Sequence, residues 1–116
     1  MDNQEMQSRT KAFALGVMKF TRTLPRGRDT DIIIRQLPRS ATAVGANYRS
    51  ACLARSKADF VSKLGIVAEE ADESKYWMEL LVEGGICGDG PIPGLMHEAA
   101  ELTSIIIASI RTARDK

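Results

Sequence analysis

Apolar residues recur along this chain at alternating steps of four and three, the spacing that keeps one stripe on one face of an α-helix. Met6, Thr10, Phe13, Val17, Phe20 and Leu24 make the first stripe. It breaks at "LPRGRDT", where Pro25 and Gly27 interrupt the pattern and Asp29 or Thr30 offers a side-chain oxygen to cap the next helix. Ile33, Leu37, Ala41, Val44, Tyr48 and Ala51 form the second stripe. Pro38 stands inside it and removes one backbone donor, so the spacing predicts a helix that persists with a kink or a broken first turn.

"SKADF" supplies Ser56 as a cap with Asp59 three residues on, and the acid suits the positive end of a helix dipole. The third stripe follows as Phe60, Leu64, Val67, Ala71, Ser74, Met78 and Leu81, a heptad seam with small residues at its middle. It is expected to end at "GGICGDGPIPG", where Gly84 or Gly85 can adopt the left-handed conformation and Pro91 and Pro93 bar continuation, leaving 84–94 as a loop. Leu95, Ala99, Leu102, Ile106, Ile110 and Ala113 complete a fourth helix. Four long helices with short connections predict an all-α, up-down-up-down four-helix bundle, a single domain over residues 1–116. No β-alternation or internal repeat competes with that pattern. Helices of this length run roughly 30–40 Å, so the bundle should be a rod with two long flanks. Leu15, Met18, Ile105 and Ile107 fall outside the principal stripes and point to self-association.

Composition agrees with the periodicity. A 44% hydrophobic chain of this length can build a core without disulfides or metal, and only 5% aromatic residues suits close helix packing. Cys52 and Cys87 form no C-x-x-C pair, and no basic, apolar leader opens the sequence. The densest apolar run, Ile105 to Ala108, is far shorter than the roughly 20 residues that span a bilayer. A cytoplasmic protein with reduced thiols and no membrane role is expected.

The net charge of +1 conceals an asymmetry. Residues 1–63 hold twelve bases and five acids, giving +7, and residues 64–116 hold four bases and ten acids, giving −6. Such a split means either a basic surface for an anionic partner or two halves that pair when folded. Antiparallel packing about a turn near Arg55 sets Arg39 roughly level with Asp72, so Arg39 is expected to meet Asp72 or Glu73 in a structural ion pair. "EEADE", Glu69 to Glu73, is read as that ion-pairing face before it is read as an acid/base or cation cluster.

The residues point to no catalytic constellation. A di-iron bundle needs two Glu-x-x-His units, whereas His97 is the sole histidine and position 94 is Gly. No Ser or Cys forms a nucleophile motif with it, and "GGICGDG" lacks the ending and the preceding strand of a phosphate loop. No enzyme activity, metal or cofactor is expected.

The polar side of the second helix carries the candidate chemistry. Arg35, Arg39, Thr42, Ala46 and Arg49 share a stripe, with Arg55 and Lys57 beyond it. Arg39, Arg49, Arg55 and Lys57 are the candidates for phosphate contact with RNA or DNA. No aromatic residues interleave with them, so specific base readout is not predicted. In "GANYRS", Gly45 is read as permitting close approach of another backbone, Asn47 as bonding across a helix interface, and Tyr48 as giving apolar area with its hydroxyl at the rim. The competing reading is a protein-interaction scaffold, with the same arginines pairing to Asp72, Glu73 and neighbouring subunits.

The run "LPRSATAVGANYRSACLARSKADFVSKLGIVAEEADESKYWMELL", Leu37 to Leu81, resembles the four-helix-bundle 23S ribosomal RNA intervening-sequence proteins. Arg39, Ser40, Val44 and Asn47 match that family's second-helix pattern, whereas Tyr48, Arg49 and Ser50 depart from its commonest version. The likeness extends from the first helix to "EAAELTSIIIASIRTAR" in the fourth. It implies a small bacterial protein similar to the accessory protein of diversity-generating retroelements. Those relatives assemble as homopentamers, and the accessory protein engages nucleic acid and a reverse transcriptase through a strongly basic surface. The resemblance therefore implies a homo-oligomer, a pentamer, with RNA or DNA and a protein such as a reverse transcriptase as partners.

Overall fold

A computed structural model describes residues 1–116 as four helices: α1 (Asn3–Thr21), α2 (Arg28–Cys52), α3 (Lys57–Glu83) and α4 (Ile92–Arg114). Each packs against its neighbours in chain order, and α1 closes the ring against α4, giving the up-down-up-down bundle. The molecule is a rod of 47 × 21 × 20 Å.

The four stripes supply the core. Every stripe residue of α1 and α2 is buried, as are Leu64 through Leu81 on α3 and Ala99, Leu102 and Ile106 on α4. Phe60, Leu95 and Ile110 are half-buried at the ends of their stripes. Ile92, which the sequence pattern left in the loop, is only 1% exposed and anchors the start of α4. Its flanking prolines do not prevent this, because the first-turn N–H groups of a helix have no intrahelical partner to lose.

Local signals explain the boundaries. Asp2 caps α1 by accepting from Glu5 N–H at 2.8 Å, and Ser56 Oγ caps α3 by accepting from Asp59 N–H at 3.0 Å. Neither Asp29 nor Thr30 caps α2: the N-cap is Gly27, and Asp31 reaches back to accept from Gly27 N–H at 3.2 Å and from Arg26 at 2.7 Å. That bonding holds the Asp31 carboxyl down at about 2, first through Arg26 and then through the Gly27 N–H. The helix continues through Pro38 to Cys52.

At the end of α3, Gly85 takes φ +71°, Ile86 N–H donates to Leu81 O at 3.0 Å and Gly85 N–H donates to Val82 O at 3.1 Å. This is a Schellman cap, which satisfies the last carbonyls and turns the chain sharply, at little steric cost because the left-handed residue is glycine.

Candidate nucleic-acid interface

The polar face of α2 divides at its middle. Arg39 donates to both Glu70 oxygens at 3.2 Å and also to Glu73, which in turn accepts from Trp77 Nε1 at 3.2 Å. The hydrogen bonds to Glu70, foremost, push the guanidinium further up from its ordinary value. Arg39 is thus held against α3 rather than presented to a phosphate. The partner differs in part from the expected one: Glu73 takes part, whereas Asp72 is exposed and Glu70 replaces it. Phase along α3 explains this, since Glu70, Glu73 and Trp77 flank the buried Ala71–Ser74–Met78 line and Asp72 points away from it.

Under this ionic strap, Ser40 and Ser74 are fully buried and their hydroxyls lie 2.8 Å apart, joining α2 to α3. Each also lies near a carbonyl of its own helix, Leu37 at 3.1 Å and Glu70 at 2.9 Å, and since a hydroxyl carries one proton, one serine donates to the other while its partner donates to its own helix. The register element of α2 is therefore this serine pair. Asn47 does not make the expected bond across an interface: its Nδ2 donates to Ala43 O at 2.8 Å within α2.

Gly45 faces α1 at Thr10, where a Cβ would sit 3.4 Å from the hydroxyl and 3.6 Å from the backbone carbonyl carbon, an ordinary contact. Tyr48 is buried with its hydroxyl at the rim, donating to Asn3 Oδ1 at 3.2 Å, and burial pushes the phenol up to about 12.

Arg49, Arg55 and Lys57 are exposed, at the end of the rod where α2 passes into α3. The antiparallel order brings the C-terminus of α4 to the same end: Lys57 Nζ donates to Lys116 O at 2.8 Å, and Arg114 lines a groove of about 630 Å³ with Lys57. Arg111, Arg114 and Lys116 thereby share this end with Arg49, Arg55 and Lys57, a basic pole that also holds the acids Asp2, Glu5, Asp59 and Asp115. None of these six side chains is in an ion pair with an Asp or Glu carboxylate, although Lys57 is already bonded to the Lys116 main-chain oxygen. Dividing the sequence into halves hid half of the pole, because Arg111, Arg114 and Lys116 lie in the acidic half. The alternating topology carried the signal that could have found them.

A second cluster, not foreseen in the sequence, ties α1 to α4. Arg9 makes a bidentate pair with Glu98, both bonds at 2.7 Å, and donates to Glu101 at 3.1 Å. His97 Nε2 lies 2.8 Å from Glu101. The bond from Arg9, above all, holds Glu101 below its ordinary value, while the bond to Glu98 raises Arg9. No three His, Cys, Asp or Glu side chains converge as metal ligands would. No helix is long and apolar enough to cross a membrane.

A rod of four antiparallel helices with one buried serine register and a basic pole defines a small all-α bundle protein. The chain belongs to the 23S rRNA-intervening sequence protein family, whose sequence model matches residues 2–108. It is similar to a protein with unknown function from the S23 ribosomal protein family of Bacteroides thetaiotaomicron, known from a crystal structure. The two share 29% identity and superpose with a TM-score of 0.86 over 96% of this chain and 99% of that one. No curated protein matches the chain.

Proposed function

We propose that the protein is a non-enzymatic, self-associating bundle that binds RNA or DNA by phosphate contacts at its basic pole. The observation that carries this reading is that Arg49, Arg55, Arg111, Arg114 and Lys116 lie at one end of the rod outside ion-pair distance of any Asp or Glu, although Asp2, Glu5, Asp59 and Asp115 share that end. Where this molecule sets an acid against an arginine, as at Arg9 and Arg39, the pair forms. The uncommitted cations remain available to an anionic partner. Arg39 is withdrawn from the phosphate-contacting set, and Arg49, Arg55 and Lys57 stay in it. Binding of this kind positions a backbone without reading sequence.

Self-association, as a pentamer by resemblance, is supported by apolar side chains on the flanks, among them Leu15 at 54%, Ile32 at 46% and Tyr76 at 51% exposed. The same exposed residues favour the second reading, a protein-interaction scaffold in the cytoplasm with a partner such as a reverse transcriptase. Replacing Arg55, Lys57 and Arg114 together by Gln separates the two. Under the first reading the variant loses affinity for mixed-sequence RNA evenly across sequences, and its affinity depends less steeply on salt. Unchanged RNA affinity in a folded variant would favour the scaffold.

A further inference from the structure

We propose that the pocket between the first turns of α1 and the last turns of α2 binds a single phosphate group of a nucleic-acid backbone. This rests on the nucleic-acid reading above and adds to it a subsite in which Arg49 of the pole is joined by Lys11 of α1.

Gln4, Gln7, Ser8 and Lys11 from α1 and Arg49 from α2 line a cavity of about 190 Å³, with no apolar residue among them. At about 30 Å³ per water, the space suits one phosphate with part of its hydration shell, and a stacked base would find no aromatic or aliphatic wall. The lining chemistry is that of an anion site. Arg and Lys donate without accepting, the two amides and the hydroxyl supply further donors, and a guanidinium can grip two phosphate oxygens at once.

No carboxylate lines the pocket, and neither Lys11 nor Arg49 makes an ion pair elsewhere. The nearest acids in sequence are otherwise placed: Asp2 caps the Glu5 N–H, and Glu5 does not line the cavity. Two cations beside one small polar cavity repel each other until an anion sits between them. Gln4 lies in the first turn of α1, whose dipole end is already capped by Asp2, so the positive potential of the pocket comes from Lys11 and Arg49. Lys11 was not singled out by sequence because it lies on α1, away from the arginine stripe of α2.

The test is an NMR titration of the whole chain with a mixed-sequence oligoribonucleotide and, separately, with inorganic phosphate. It uses the wild type, Lys11→Gln, Arg49→Gln and the double variant. Both side chains are exposed and make no hydrogen bond, so the variants keep the helical fold, which circular dichroism verifies. We expect both ligands to shift signals of Gln4, Gln7, Ser8, Lys11 and Arg49. The double variant should lose the phosphate response and bind RNA about tenfold more weakly, the size of two exposed charge contacts, with a salt slope shallower by about one. If RNA binds the double variant with unchanged affinity and slope, the subsite is overturned while the nucleic-acid reading stands. If the wild type ignores RNA but phosphate shifts the pocket, the nucleic-acid reading fails, and the backbone assignment falls with it in favour of a free phosphate compound. If neither ligand moves the pocket signals, the subsite is overturned.

Discussion

The seams α2–α3 and α1–α4 hold the same bundle together by different means. Along α2–α3 the helices meet over much of their length, with fully buried Ser40 and Ser74 bonded inside and Arg39 strapped to Glu70 and Glu73 outside. Between α1 and α4 the contact is short. There Gly16 admits Leu95 so closely that a Cβ would stand 3.2 Å from its methyl, and Arg9 clips the edge to Glu98 and Glu101. A bundle built this way is stiff on one side and fastened on the other, so local opening should begin at α1–α4.

The largest contrast should come from truncating one apolar residue on each side. Leu64→Ala removes a fully buried side chain of α3 and should cost about 2–5 kcal/mol in urea unfolding, whereas Leu95→Ala on the thin seam should cost about 1 kcal/mol. Equal losses would erase the distinction between the seams.

Arg9→Met should cost about 1 kcal/mol and speed amide exchange in α1 and α4 more than in α2 and α3. Acid should act at the same place. The folded value of Glu101 is depressed, so its stabilisation is present above the ordinary carboxylate value near 4.3 and is lost as pH falls through the lower folded value. Protection factors, which remove the intrinsic slowing of exchange by acid, should therefore fall first in α1 and α4 on acidification, and a uniform fall across all four helices would refute the clip.

The serine pair sharpens the other side. Ser40→Ala or Ser74→Ala should each cost about 1 kcal/mol, and the double variant should cost less than the sum, since removing both hydroxyls leaves no buried group without its partner. Strict additivity would mean that the 2.8 Å contact contributes nothing. Asn47→Ala should be the mildest change, within about 0.5 kcal/mol in thermal melts. Its only side-chain hydrogen bond is to its own helix, and alanine is the better helix former.

Periodicity made the core legible because burial on a helix repeats every three or four residues, and the stripes from Met6 to Ile106 could be read from spacing alone. Ile92 was hidden because prolines on both sides look like loop punctuation, although the first turn of a helix tolerates them. The Arg39 partner was legible in level but not in phase: counting along α3 from Ser74 would have turned Asp72 outward and Glu70 inward. Neither the Arg9 clip nor the basic pole follows from local pattern, because each brings residues of earlier helices, Arg9 of α1 and Lys57 of α3, to α4 or the residues just after it, which only the closed bundle does. Asn47 looked like an interface amide because a polar residue one place off an apolar stripe fits either a cross-helix bond or a bond to its own backbone.

The most direct test of the basic pole is light scattering after size exclusion, with and without a mixed-sequence RNA, at low and moderate salt. A particle of several 12.7 kDa subunits that gains RNA at low salt and releases it at moderate salt is the expected result. A particle whose mass is indifferent to RNA at both salts would contradict phosphate binding and leave the exposed apolar flanks as the basis of function.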